Sequence, residues 1–575
     1  MKRPRFHQKD VTPDARWRYL ILDGYVDEPA DLGVPPYLSP QIRSLAGGLI
    51  SGGASKEEIG YVTVDQWRQF RGRVGNLFKI VNPEFLIVVF GCLVPGKYLR
   101  GTPISKREVL EASVGDHKTV VAGSGAEGFT DDPLSICKGD PGVLGQSISS
   151  QGRVTSRDRT IEEWNHHLIE GSFICTLHPD HPTPLICEIE TSVGCPRYIT
   201  GGCSFCLEPS RGKMVFREPD DIIEEIAVLS NYGVNNIRLG GQSDLLAYGS
   251  DDIGKSEIVE PSPKEMKKLL SGVRSVLYSG KGIRNRIASG LRPGIDCGII
   301  HTDNSNPAVI STYPSESLEV LKIIVDHITS GSVLALGLES TDPVVKEKNN
   351  LNSTPDQVMS AVEIINSVGG HRGLNGMPVL LPGINFLGDL PGQTEESFRG
   401  DLLFLRDVLK RGLLLRRINI RRARFNVNVD IPSGAKKGFW KFRNIVRNEM
   451  DPAFLRLIFP DITPLRGIYV ETIFGRSAYG RQIGSYPLMV KIMNTVEKGS
   501  PKDVAVTDLS GRSVKGFTFP FHINQASFND LQSIPGVGKS RAAKIFSELP
   551  MEEARFLELC PDSREAMEFI DFSTG

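Results

Sequence analysis

A chain that packs three cysteines into one short glycine-bearing loop has to fold around that loop. Here the cysteines are Cys195, Cys203 and Cys206, in Glu190-Thr-Ser-Val-Gly-Cys-Pro-Arg-Tyr-Ile-Thr-Gly-Gly-Cys-Ser-Phe-Cys. The apolar run Leu185–Ile189 just before it reads as a buried strand, so the loop stands at a strand's C-terminal end. Four close thiolates would point to zinc or to an iron–sulfur cluster held wholly by protein. Three point to a cluster with one iron left open, to a zinc knuckle, or to unrelated thiols. Cys187 or Cys175 is the nearest fourth ligand, although Cys187 falls inside the strand.

At 575 residues the chain calls for three or four domains, and 40% hydrophobic residues supply their cores. A net charge of −1 gives no global field toward nucleic acid or membrane, so any basic surface is local. The nine cysteines are unevenly spaced and do not make a secreted disulfide framework. The basic N-terminus lacks an apolar signal core, and no run is long enough to span a membrane. The expectation is a cytoplasmic protein with no membrane partner.

Residues 1–125 read as a Rossmann-like domain. Strands fit Tyr19–Asp23, Tyr61–Val64, Phe85–Phe90 and Thr119–Ala122, and a helix fits Pro40–Leu49. Short apolar strands that end in glycines and alternate with helices argue for a parallel, doubly wound sheet. Gly123-Ser-Gly125 reads as a tight turn more readily than a phosphate cradle, and Cys92 as a small buried hydrophobe. Residues 126–180, rich in Gly, Ser, Asp and Pro, read as a linker or lid. Ile161–Ile169 within it is helical, and its adjacent His166 and His167 point apart.

From 181 to 425, strands alternate with helices. Strands fit Leu185–Ile189, Asn236–Leu239, Arg286–Ser289, Val333–Leu338, Val379–Leu381 with Ile384–Leu387, and Ile418–Arg421; helices fit Pro219–Leu229, Ser315–Thr329, Pro355–Val368 and Thr394–Arg411. The count predicts a partial (β/α)6 barrel, with chemistry at the C-terminal strand ends. After Cys297, the polar run with His301 and Asn304 would line a substrate pocket or hold a metal by oxygens; an Asx-rich turn is the plainer alternative. Arg416, Arg417, Arg421, Arg422 and Arg424 would, by strand alternation, turn some charges toward the site or else form a solvated edge.

Residues 426–520 read as a β-rich accessory region, with a small antiparallel sheet or barrel at Gly467–Ile492. Residues 521–575 follow the helix–hairpin–helix pattern: a helix over Phe528–Ile534, the hairpin Pro535-Gly536-Val537-Gly538-Lys539, and a helix over Ser540–Phe546. Gly536 and Gly538 would leave backbone N–H groups free for a phosphate, with Lys539 and Arg541 beside them. A protein-docking or purely structural hairpin is the alternative.

Gly-Cys-Pro, a turn and Cys-x-Phe-Cys resemble the cluster loop of the radical S-adenosylmethionine (SAM) superfamily, with seven residues between the first two cysteines where that family usually has three. Gly240-Gly241-Gln242 resembles its Gly-Gly-Glu motif, with Gln for Glu. Glu339-Ser340 resembles its Gly-x-Glu-Ser, and Pro391-Gly392 its Gly-x-Pro-Gly-Glu-Thr, again with Gln393 for Glu. The resemblance implies a [4Fe–4S] cluster on Cys195, Cys203 and Cys206, with S-adenosylmethionine chelating the fourth iron through its amino and carboxylate groups. It implies cofactor contacts at the three motifs, a 5′-deoxyadenosyl radical made by reductive cleavage, and an electron donor such as ferredoxin or flavodoxin. The N-terminal outline is similar to the cobalamin-binding domain of some members, but the signature Asp-x-His-x-x-Gly has no match, so cobalamin is not expected.

The order of parts resembles a group of archaeal radical SAM proteins with a C-terminal helix–hairpin–helix, and the small barrel is similar in position to the RNA-binding barrels of tRNA-modifying relatives. The expectation is a radical enzyme that modifies RNA, tRNA first. The rivals are a radical enzyme acting on a protein or small metabolite, and a non-enzymatic iron–sulfur protein that binds nucleic acid. Glycine-bearing motifs at four strand ends argue against the last. No second cysteine triplet follows, which argues against a sulfur-donating auxiliary cluster.

Overall fold

The computed structural model describes residues 17–26, 33–70, 81–91, 101–130, 134–279, 281–423 and 432–574. Cys92 and Arg424 lie outside them. The chain forms two compact units: Met1–Val193 with Met214–Ser243 and Lys264–Ala288, and Gly194–Lys213 with Asp244–Pro263 and Ser289–Gly575.

In the first unit, β1 (Tyr19–Asp23) is apolar enough to be buried on both faces, as a central parallel strand must be. It is followed by β2 (Tyr37–Leu38), α1 (Pro40–Ser51), β3 (Ile59–Thr63), β4 (Phe85–Val89), β5 (Lys118–Ala122) and β6 (Ser135–Ile136). The sheet runs β3-β1-β4-β5-β6, all parallel. Gly123, with φ +96°, and Gly125, whose N–H donates to the Phe90 carbonyl at 3.0 Å, close a turn after β5, as expected.

The stretch 126–180 is not a linker. It adds β6 to the sheet and folds into α2 (Pro141–Gln151) and α3 (Ile161–Glu170). Asp140 caps α2 by accepting from Gly142 N at 2.8 Å, with Pro141 in the first turn. The glycines that mimic a loop in the sequence are the packing surface. A Cβ on Gly48 of α1 would lie 1.9 Å from the Gly142 carbonyl oxygen, and one on Gly47 would lie 1.8 Å from that of His167. Backbones this close admit no side chain.

The unit continues with β7 (Ile186–Glu190), β8 (Ser192–Val193), β9 (Val215–Phe216), α4 (Pro219–Asn231) and β10 (Ile237–Gly240); β2, β7 and β10 pair in parallel. Fully buried charges join these elements. Glu225 of α4 pairs with Arg43 of α1 and, at 2.5 Å, with Arg217; Glu188 of β7 pairs with Arg238 of β10. Removing one member would strand a charge in the core. The expected strand Arg286–Ser289 is instead the end of a helix, Lys281–Ala288, where Arg286 Nη2 donates to the Leu277 carbonyl at 3.0 Å. Its short apolar run fits either period, and the preceding helical turns decide it.

In the second unit, β11 (Ile300–His301) precedes the parallel sheet β12 (Ser332–Glu339), β13 (Leu380–Gly388) and β14 (Arg417–Arg422). The helices between them are α5 (Pro343–Lys348), α6 (Pro355–Gly369) and α7 (Glu395–Lys410). Thr354 and Thr394 cap the last two with reciprocal side-chain bonds.

The expected β-rich region begins helically, with α8 (Ser433–Ile445), a π-turn over Val446–Met450 and α9 (Asp451–Ile458). Ala435, Phe439 and Phe442 repeat at helical spacing and are buried. The β structure follows as a closed barrel of β15 (Thr463–Phe474), β16 (Ser477–Gln482), β17 (Met489–Ile492), β18 (Pro501–Ser510) and β19 (Ser513–Thr518). Within the expected Gly467–Ile492 stretch β15, β16 and β17 pair antiparallel, as predicted, and β19, from beyond it, joins β17 in parallel. Two short helices, α10 (Phe528–Leu531) and α11 (Lys539–Ser547), come next. α10 is shorter than the span predicted for it. The chain is thus a mixed α/β fold with parallel sheets, and among its described residues no helix is long and apolar enough to cross a membrane.

Candidate active site

The cysteine loop lies in the second unit, and the seven residues between Cys195 and Cys203 are ordered. Pro196–Thr200 makes a 3-10 turn, and Gly201 (φ +82°) and Gly202 (φ +64°) bring the chain back. Tyr198 N donates to the Cys195 carbonyl and Cys206 N to that of Cys203, both at 3.0 Å. The extra residues of the long gap are therefore wound into a turn.

A residue inside that turn holds the loop in place. Arg197 is 5% exposed, and its Nη1 donates to Cys203 Sγ at 3.1 Å and to the Asn350 carbonyl at 2.8 Å. Its Nη2 reaches Asn350 Oδ1 at 3.1 Å and its Nε reaches Glu257 Oε2 at 3.1 Å. Asn350, at φ +48°, donates back to the carbonyls of Thr200 (3.2 Å) and Gly202 (2.8 Å). Asn349 receives Ser204 Oγ at 2.9 Å and donates to the Pro391 carbonyl at 2.8 Å. The two asparagines after α5 thus tie the loop to the Pro391-Gly392 turn. None of Arg197, Glu257, Asn349 or Asn350 stood out in the sequence. The available signal was an Asn pair just past a short helix, where αL backbone favours Asn.

Burial pushes the Cys203 thiol up to about 12, with Glu339 adding to the shift and Arg197 opposing it. Cys206, although exposed at its surface, is likewise raised, to about 11, by desolvation among the neighbouring atoms of the loop. Cys203 feels both Cys195 and Cys206, so the three thiols share one electrostatic environment. Among the described residues, no three His, Cys, Asp or Glu side chains are gathered tightly enough for a single metal ion. A cluster asks for less, because its three cysteines bind three different irons. One loop, three thiols and an arginine donating to sulfur fit that donor set. Cys175 and Cys187 are buried in the first unit, where burial raises both thiols.

Glu339 ends β12 at φ +61°, an unusual backbone for a residue with a side chain, after a bulge at Gly337. A Cβ on Gly337 would stand 3.0 Å from Glu339 Oε1, so the glycine makes room for the carboxylate. Burial pushes that carboxyl up to about 8, and Arg197 opposes the shift. Ser340 faces elsewhere: its hydroxyl accepts from Asp342 N at 3.3 Å and bonds Asp401. Gly392 has φ +89°, and Gln393 is spent on its own turn, donating to the Leu387 carbonyl at 2.7 Å and accepting from Leu390 N at 2.9 Å.

Gly240, Gly241 and Gln242 lie in the first unit. Gly241 has φ +69°, and Gln242, 1% exposed, donates to the Leu239 carbonyl at 3.1 Å and accepts from Thr191 Oγ1 at 3.3 Å. Gln242 therefore has partners where a free acceptor was expected. His301 Nδ1 accepts from Ser485 N at 2.7 Å, and Asn306 caps the helix Pro307–Thr312, so the run around Asn304 behaves as the Asx turn. Arg416 and Arg417 stand at the start of β14, away from the strand's C-terminal end. At that end, Arg422 pairs with Asp389.

At the C-terminal turn, Gly536 (φ +81°), Gly538 and Lys539 are exposed, and the N-terminus of α11 has no side-chain cap. Arg541 folds back along the surface, donating to Asp562 at 2.8 Å and to the Gly536 carbonyl at 2.7 Å. It braces the turn and leaves Lys539 as the cation beside it.

Residues 189–387 match the Radical SAM superfamily. The chain is 38% identical over 529 residues to the uncharacterized protein MJ0274 of Methanocaldococcus jannaschii, spanning 87% of this chain and 93% of that one. It is 34% identical over 526 residues to an uncharacterized protein of Archaeoglobus fulgidus, spanning 90% and 93%. Over 183 residues, 31% of this chain and 29% of the other, it is 26% identical to a tRNA-2-methylthio-N(6)-dimethylallyladenosine synthase of Shouchella clausii. With a family match that begins just ahead of the cysteine loop and relatives that run nearly the length of the chain, this protein belongs to the radical SAM superfamily, whose enzymes use a [4Fe–4S] cluster and S-adenosylmethionine.

Proposed function

We propose that this radical SAM enzyme modifies RNA, with tRNA as the substrate class. The observation that carries the RNA assignment is the exposed turn Gly536–Lys539, a helix–hairpin–helix in form. It presents uncapped backbone N–H groups of α11 beside a lysine, the arrangement that grips a phosphate without reading a base. Two features support it: a closed barrel follows the strands of the matched region, and the synthase to which 31% of this chain is similar acts, by its name, on tRNA. Membership of an enzyme superfamily sets aside the non-enzymatic alternative.

Cys195, Cys203 and Cys206 would hold the cluster, and Glu339 with the Pro391-Gly392 turn would meet polar groups of the cofactor. Once bound, cluster and S-adenosylmethionine supply a carbon-centred radical for hydrogen abstraction. Arg197 positions Cys203 and favours its thiolate by donating to sulfur. Glu339, raised to about 8, keeps its proton at neutral pH until a cationic group comes close, then ionises and pairs with it. Among the described residues, Cys137, Cys175, Cys187, Cys297 and Cys560 form no second group of three metal-binding side chains, which favours a modification other than sulfur insertion.

The test uses anaerobically reconstituted, reduced protein with S-adenosylmethionine and tRNA from cells lacking the gene. The expected result is 5′-deoxyadenosine together with a mass change in one tRNA nucleoside, both lost in Cys203→Ala. Slow 5′-deoxyadenosine formation that RNA does not alter, with tRNA unchanged, would move the substrate to a protein or metabolite.

A further inference from the structure

The second unit crowds arginines at one end of a basic helix. Arg447 Nη1 and Arg512 Nε bind the same oxygen, Oδ2 of Asp451, at 2.9 and 3.0 Å. Arg447 Nη1 also donates to the Ile418 carbonyl at 2.9 Å, and Arg416 Nη2 to that of Tyr486 at 2.6 Å. The Arg417 guanidinium lies 3.6 Å from the Tyr486 ring centre. Two of these cations, Arg416 and Arg512, are depressed. Arg416 is brought down to about 10 by burial and then by Arg417 and Arg512, while Arg512 is lowered by burial and by Arg447 and Arg443, with Asp451 opposing. Packing like charges together costs stability unless a polyanion offsets it.

The crowd continues along α8. One face of the helix is locked, with Phe442 edge-on to Phe386 at 5.3 Å between ring centres and Phe439 buried. The opposite face exposes Lys436, Lys437, Trp440, Lys441 and Arg443. Lys441 has one distant acidic neighbour, Glu395, at 3.6 Å. Trp440 is 50% exposed, whereas Trp67 and Trp164 are 4% and 3% exposed, and Arg443 stands over its ring at 5.4 Å. At 1.5 Å per residue, Lys436 to Arg447 runs about 16 Å. A half-exposed indole among cations suits a ligand that offers a flat apolar face and anions in alternation. Unpaired bases on a phosphate chain do so, and an acidic peptide offers only the anions.

We propose that the outer face of α8, with Arg447 and Arg512, is a binding track for an unpaired stretch of RNA, its phosphates on the lysines and arginines and one base stacked on Trp440. The track deepens the RNA assignment above and rests on it.

The test titrates full-length protein with bulk tRNA and with a short single-stranded oligoribonucleotide, following tryptophan emission and affinity at several salt concentrations. Stacking should quench emission, and Trp440→Phe, which keeps a ring in place, should remove most of that quench. Trp440→Ala should weaken oligonucleotide binding about tenfold. The pair Lys436→Glu and Lys437→Glu should weaken tRNA binding further and flatten its salt dependence by about one unit of slope per lost phosphate contact. Thermal unfolding checks that each variant is folded. If the wild type binds RNA and every folded variant matches it in affinity, slope and quench, the track is overturned and the RNA assignment stands. If the wild type binds neither RNA, both fall.

Discussion

At the scale of single residues, the candidate site turns on Arg197 as much as on the cysteines. Arg197→Met keeps all three thiols but removes the donor to Cys203 and the clasp on Asn350 and Glu257. It should lower iron content after reconstitution and cost about 1–3 kcal/mol in thermal or denaturant unfolding. Cys203→Ser should lose the cluster's visible absorbance with little change in the fold. The cysteines were legible because thiols crowd only for a reason. Arg197 and the asparagines were not, because their partnership forms between positions some 150 residues apart. A titration belongs at this scale too. Asp401, fully buried and accepting from Thr341 N at 2.7 Å, is pushed up to about 7 by burial. Its folded pKa lies above the unfolded one, so its contribution is greatest below the unfolded pKa and is lost as pH rises toward 7. Asp401→Asn should flatten the fall in stability between about pH 4 and 7 and raise it near neutrality by on the order of 2 kcal/mol, as read by denaturant titration.

At the scale of elements, helix starts announced themselves and helix interiors did not always. Pro219 and Pro355 open their helices at the positions expected of them. The sequence reads as linker over α2 because Gly142 and Gly145 count as breakers in a sequence and as contact surface in a helix pair. Gly48→Val would press a branched side chain onto the Gly142 carbonyl, where even a Cβ has 1.9 Å. It should destabilise the protein by about 3 kcal/mol or prevent its folding. Gly152→Ala, at φ +65° with open space around it, should cost about 1 kcal/mol. Equal, small effects in thermal unfolding would return this stretch to a loose lid.

For the whole molecule, the sequence showed most of the strands and little of how the accessory regions close. The pairing of β17 with β19 that helps close the barrel has no local signature, since closure is set by partners far apart in the chain. For the whole molecule the proposal is a radical SAM enzyme whose C-terminal turn and basic helix hold RNA. The most direct test is a mass-spectrometric inventory of modified nucleosides in tRNA and rRNA from cells with and without the gene. The account predicts that one nucleoside disappears on deletion, returns with the wild-type gene and does not return with Cys203→Ala. An inventory unchanged by deletion would contradict it.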